Sequence, residues 1–146
     1  MSPSTHLRAS LWSLAGFLAM GMWLEAMLGL RVSSVVDDAL RREFLRLGHA
    51  HGGLLALVNV GLGWALERLG TPSGWAARVR VAAWSGALIV GLGFVGGGVW
   101  HGPTDPGPLV LLVPAGALML VASLVAVAIL RCPSGGSPDQ ASNNPS

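Results

Sequence analysis

"VAAWSGALIVGLGFVGGGVW", from Val81 to Trp100, runs for twenty residues without a charged side chain. Wound as a helix it rises about 30 Å, the thickness of a bilayer's hydrocarbon core. A soluble helix of that length needs a polar face, and Ser85 is almost the only polar group available here. Strand-like alternation over short segments, the mark of a membrane β-barrel, is absent. This stretch is therefore predicted to be a transmembrane helix.

Three more apolar runs flank it: about Ser10 to Leu30, His49 to Leu66, and Leu109 to Leu130. Spanning takes roughly 17–25 residues, so each qualifies, the second by the smallest margin. Composition agrees, with 52% of the chain hydrophobic and 11% charged, against about 25% charged in a soluble domain. Too few polar residues exist to clothe a soluble surface. The predicted fold is all-α, an integral membrane four-helix bundle over residues 1–131 with the lipid bilayer as its surroundings. The remaining "CPSGGSPDQASNNPS" (residues 132–146) has little to bury and reads as a disordered tail. Cys132, the single cysteine, has no disulfide partner in the chain and reads as a free thiol at the membrane edge.

The first run follows Arg8 and resembles a secretory signal. It lacks a small-x-small cleavage site before Arg31, so it is read as an uncleaved anchor. Four spans put both termini and the loop at 67–80 on one side. That side carries Arg8, Arg68, Arg78, Arg80 and Arg131; the other carries Arg31, Arg41, Arg42 and Arg46, mixed with Asp37, Asp38 and Glu43. The positive-inside rule then places both termini in the cytoplasm.

Between the first two spans, Ser34 and Asp37 have capping-box spacing. Val36, Leu40, Phe44 and Leu47 form an apolar stripe, and Asp37–Arg41 and Asp38–Arg42 are favourable i,i+4 pairs. This predicts a short amphipathic interfacial helix between spans 1 and 2. Otherwise the segment is a long start to the second span, with Gly48 its only breaker.

Ionisable groups near apolar spans need a reason to be there. Glu25 closes the first span, His49 and His51 open the second, His101 ends the third, and Asp105 lies in the "HGPTDPGP" turn. Helices alternate in direction, so all five come to one face of the membrane, read as the outer one. Imidazoles with carboxylates suit Zn²⁺, Cu²⁺ or iron, and the five are the candidate metal ligands. Residues i and i+2 of a helix project about 200° apart, so His49 and His51 cannot share one metal from a regular helix. His51 is the expected inward one, with Asn59 two turns further along its face as a polar support. Taken singly, an interfacial histidine needs no function beyond capping a helix end. Taken together, and with Glu25 set among Trp23, Leu24, Ala26 and Met27, the group points to one shared site. His6, in the N-terminal start, is expected to have no role.

Other features read as structural. Gly93 and Gly97 form GxxxG in a span that also holds Gly86, Gly91, Gly96 and Gly98, a pattern that lets helices approach closely. A phosphate-cradling glycine loop is excluded by apolar context and by the lack of any lysine. Met20, Met22 and Met27 are packing residues, the tryptophans suit an interfacial belt, and Pro114 is expected to kink the last span. The arginines are scattered, with no basic run for nucleic acid. Ser85 and Ser123 have no histidine at their depth to serve as a base.

"GHAHGGLLALVN" (Gly48–Asn59), "LEAMLGLRV" (Leu24–Val32) and "HGPTDPGPLVLLVPAGALML" (His101–Leu120) resemble a family of small bacterial four-helix membrane proteins. The likeness covers roughly Leu14 to Leu130; it implies the fold and the bacterial inner membrane, and no established activity. More locally, "HAHGGLLAL" is similar to the histidine-bearing helix of subunit I-like proteins of the haem–copper oxidases, which implies a haem-facing histidine. No second histidine pair exists here to hold copper beside a haem, so an oxidase acting alone is excluded.

Three readings stay open. The chain holds a metal or haem at the outer face, through Glu25, His51 and His101 with His49 and Asp105 in support. Or it is a structural or assembly subunit, packing its glycine-rich faces against copies of itself or a larger membrane complex. Or it is a proton-coupled transporter, which ranks last because only Asn59 and Ser85 lie near the midplane. An enzyme acting on its own is the less favoured class.

Overall fold

The computed structural model describes residues 1–129, all helices and turns with no strand among them. The last residue of the fourth expected span, Arg131, Cys132 and the expected disordered tail lie outside the described residues.

Helix α1 runs Pro3–Gly29, well ahead of the expected start at Ser10. Its beginning is written in "MSPS": the Ser2 hydroxyl accepts the Thr5 N–H at 3.2 Å, and Pro3, at the helix start, has no N–H to leave orphaned. It ends where Arg31 adopts a left-handed conformation (φ 52°). There the Val32 N–H returns to the Met27 carbonyl at 3.0 Å, in the pattern usually built on glycine.

A single turn, α2 (Ser33–Val36), follows, and then α3 (Ala39–Arg68), a continuous 30-residue helix. The separate interfacial helix is thus not what forms. Gly48 does not interrupt α3, because it packs closely on α4 and its missing side chain is what permits that packing. Nor does Ser34 cap anything: α2 has no side-chain cap, and Asp38 caps α3 by accepting the Arg41 N–H at 2.9 Å. The paired arginines follow suit. Arg41 meets Asp38 at 3.5 Å rather than Asp37, and Arg42 bonds the Val36 carbonyl instead of Asp38.

Helix α4 spans Ser73–Val99. After the turn at 100–107 the chain enters a 3-10 turn, Pro108–Leu112, and then α5, Val113–Ala128. Pro114 falls in the first turn of α5, where its absent N–H costs nothing, so it starts a helix rather than kinking one.

Glycines set the helix register. A methyl on Gly48 would lie 2.6 Å from a Val95 methyl, and one on Gly98 would lie 2.7 Å from the Phe44 Cβ. Asn59 meets the Ala83 carbonyl, and Leu66 shares a core cluster with Ala76. α3 and α4 are therefore antiparallel along their whole length. α1 runs antiparallel to α3 in the same way, with His6 beside Gly63, Phe17 on Gly52 and Gly21 under His49. Gly86 and Gly116 bring α4 and α5 together reciprocally, a methyl on either lying 2.6–2.8 Å from the other's carbonyl oxygen. The glycine-rich faces of α4 are thus taken up inside the chain, by α3, α5 and the ring of Phe17.

The helices lie in the order α1, α3, α4, α5, and among the described residues α1 and α5 do not touch. One end is packed by Leu62, Leu66, Ala76, Val79 and Val127, the other by Leu24, Val35 and Leu45. Three segments are long and apolar enough to cross a membrane: Pro3–Gly29, Ser73–Val99 and Pro108–Ala128. α3 is as long but is not among them: its uncharged stretch from His49 to Leu66 is made less apolar by His49, His51 and Asn59.

Candidate functional site

The five residues expected to share one site lie toward one end of the helices, but they do not gather into one cluster: Glu25 and His49 border one groove and His101 another. Among the described residues, no three His, Cys, Asp or Glu side chains are gathered as a metal ion would require.

His49 sits on the α1 side of α3. Its Nδ1 donates to the Phe17 carbonyl at 2.7 Å, and the ring lies against Gly21, where any side chain would collide with it. That hydrogen bond fixes the ring and leaves Nε2 free, as in a ligating histidine. A groove of about 810 Å³ runs between α1 and α3 beside it, lined by Glu25, Glu43, Arg46 and His49. Glu25 is exposed there. One imidazole and two carboxylates border the groove without forming a ligand set.

His51 faces the other neighbour. Its Nδ1 donates to the Leu47 carbonyl of its own helix at 3.0 Å, and its ring packs on Phe94 of α4, centroids 5.1 Å apart. The roughly 200° between positions i and i+2 persists because α3 stays regular. Each histidine therefore serves a different helix pair.

His101 closes the loop end. Its Nε2 donates to Asp38 Oδ2 at 2.8 Å, and its Nδ1 lies 2.6 Å from the Gly102 carbonyl. Both ring nitrogens thus face oxygen atoms of neighbouring groups. Asp38 thus caps α3 with one oxygen and ties down the α4 exit with the other. The bond from the Arg41 N–H is the largest influence and holds its carboxyl below the ordinary 3.8; desolvation opposes it, and the His101 contact adds to the lowering. Asp105 stays in its turn, accepting from Thr104 at 2.9 Å.

The most buried polar group lies at the opposite end and includes the residue expected to do nothing. His6 is 1% exposed and Asn59 is 0%. His6 Nε2 and Asn59 Oδ1 are 3.3 Å apart, while Asn59 Nδ2 donates to the Leu55 carbonyl of its own helix and to the Ala83 carbonyl of α4. Asn59 therefore links α1, α3 and α4. Gly63 leaves the space the imidazole fills. Ser10, also fully buried, folds its hydroxyl onto the His6 carbonyl at 2.9 Å. The signal for His6 was available: with Ser2 as cap, His6, Ser10, Phe17, Gly21 and Leu24 fall on one helical stripe, and all five are buried.

The chain matches no protein-family model, no curated protein and no solved structure. Its own geometry carries the functional reading.

Proposed function

We propose that this chain is a four-span membrane protein acting as a structural or assembly subunit, with its histidines serving as contacts between helices. The observation that carries this is the separate commitment of each imidazole: His6 to Asn59, His49 to Phe17, His51 to Leu47 and Phe94, His101 to Asp38. A reactive centre needs such groups converged on one place; here each contacts a different neighbour, as in a scaffold.

The fourth span is supported by register. α3 lies antiparallel to α1 and α4 over their full length, so a bilayer crossed by those two encloses α3 as well. Its His49, His51 and Asn59 then face helices rather than lipid, which is where a membrane tolerates polar groups.

The test uses the full chain extracted from a bacterial inner membrane in mild detergent, without a metal-affinity tag. Sizing should show an assembly larger than one chain, with no Soret band and no stoichiometric metal. A single-chain species, or a metal or haem that His49→Ala or His51→Ala removes, overturns the proposal.

A further inference from the structure

At the end of the molecule bearing the N-terminus and the α3–α4 turn, a cavity of about 470 Å³ opens among Ser2, Glu67, Thr71, Ser73 and Arg80. That volume lies within the range of small-ligand pockets. Arg80 is only 5% exposed, and among the described residues its side chain makes no ion pair or hydrogen bond; its Nε is buried without a partner. Helical side chains lean toward the N-terminus, so a guanidinium two turns into α4 reaches back to the start of that helix. A buried cation left without a counter-charge is costly, and a ligand that supplies one removes the cost.

Two further features of the same cavity point to an anion. The Thr71 hydroxyl is buried and also lacks a hydrogen-bond partner. Helix α4 begins at Ser73 with Pro72 as its cap, and Pro72 supplies no side-chain bond to the first amides. A 27-residue helix thus presents its positive end, uncapped, to the cavity that holds the unpaired guanidinium. Carboxylates are represented on the lining by Glu67, which is exposed. It disfavours a dianion and offers a counter-charge to an amine attached to the bound group.

We propose that this cavity binds the phosphate of a singly charged phosphate ester, with the Arg80 guanidinium, the Thr71 hydroxyl and the first amides of α4 as donors. Arginine and helix-start amides match phosphate oxygens in geometry as well as charge. A lipid headgroup and a soluble phosphate ester present the same chemistry, and the experiment separates them. The site is distinct from the histidine contacts, so it stands or falls independently of the structural-subunit reading.

The test follows thermal unfolding of the full, delipidated chain in non-ionic detergent. Three probes are titrated: inorganic phosphate, glycerophosphoethanolamine, and a short-chain phosphatidylethanolamine. Sulfate at matched ionic strength is the control. A phosphate probe should raise the midpoint saturably in the wild type and in Arg78→Gln, an exposed arginine of the same helix. Thr71→Val should weaken the apparent affinity about tenfold, the effect of one hydrogen bond to a charged group. Arg80→Gln should abolish the response. A response to the lipid alone identifies a headgroup site, and a response to the soluble ester as well identifies a free ligand; both support the proposal. No response in the wild type, an equal response to sulfate, or a response unchanged in Thr71→Val overturns it. The Thr71 variant decides the matter even if Arg80→Gln does not fold.

Discussion

The imidazole of His6 and the carboxamide of Asn59, 53 positions apart in the chain, meet at 3.3 Å in the interior where α1, α3 and α4 converge. Neither residue has solvent to fall back on, and each satisfies the other. Removing one partner leaves a buried polar atom unmatched, which costs more than the bond itself contributes. His6→Ala is therefore expected to lower stability by about 2 kcal/mol. Thermal unfolding in detergent checks this, and a midpoint equal to the wild type would show that the contact is dispensable.

Gly21 and His49 form a second coupled pair. Gly21→Ala should expel the imidazole from the α1 backbone and destabilise by about 1–3 kcal/mol. The same change made in a His49→Ala background should cost far less, because the colliding ring is gone. A double-mutant cycle measures this, and strict additivity would mean the two do not touch.

Asp38 predicts a specific acid response. Its carboxyl titrates lower in the folded chain than in the unfolded one, chiefly because it accepts the Arg41 N–H. Its contribution is therefore present above the ordinary value of 3.8 and is lost as pH falls through the lower folded value. Protection of the amides in the first turn of α3, after allowance for the pH dependence of intrinsic exchange, should fall as pH drops below 3.8. Asp38→Asn should flatten that dependence; an unchanged pH profile in the variant would assign the effect elsewhere.

Gly86 and Gly116 hold α4 and α5 at backbone contact. Gly86→Val should destabilise by about 3 kcal/mol, since its nearest neighbour would be a carbonyl oxygen on a helix rather than a yielding side-chain tip. Gly16→Val, on the open face of α1, is the control: nothing lies within 4 Å of its added Cβ. Equal midpoints for the two variants would place α5 elsewhere.

Arg31 occupies a conformation that favours glycine. Arg31→Gly should raise stability by about 1 kcal/mol, the usual strain of a left-handed residue. A lowered midpoint would show that the arginine side chain contributes more than its backbone costs.

The helical architecture was legible because it rests on composition and run length, which need no knowledge of neighbours. Depth was legible too: His49, His51, His101 and Glu25 do lie toward one end. Azimuth was not, because whether a residue faces its left or right neighbour depends on how helices are rotated against each other. Gly21 and Gly52 decide that rotation on the α1–α3 contact, and nothing in their local sequence says which partner will fill the space. His6 was missed for a different reason. An apolar-run criterion starts the first span at Ser10, whereas the Ser2–Pro3 cap starts the helix seven residues sooner (10 − 3). Arg80 was counted as a loop charge because it stands near a boundary; its burial follows from α4 continuing two turns before the apolar run begins.

The missing contact between α1 and α5 has its own consequence. A closed ring of helices is complete only when its last member arrives, and until then its first interface waits on the far end of the chain. Here each large interface joins one long helix to the next along the polypeptide. As the chain is delivered N-terminus first, every new long helix meets a partner already in place, and no earlier pairing has to open to admit it.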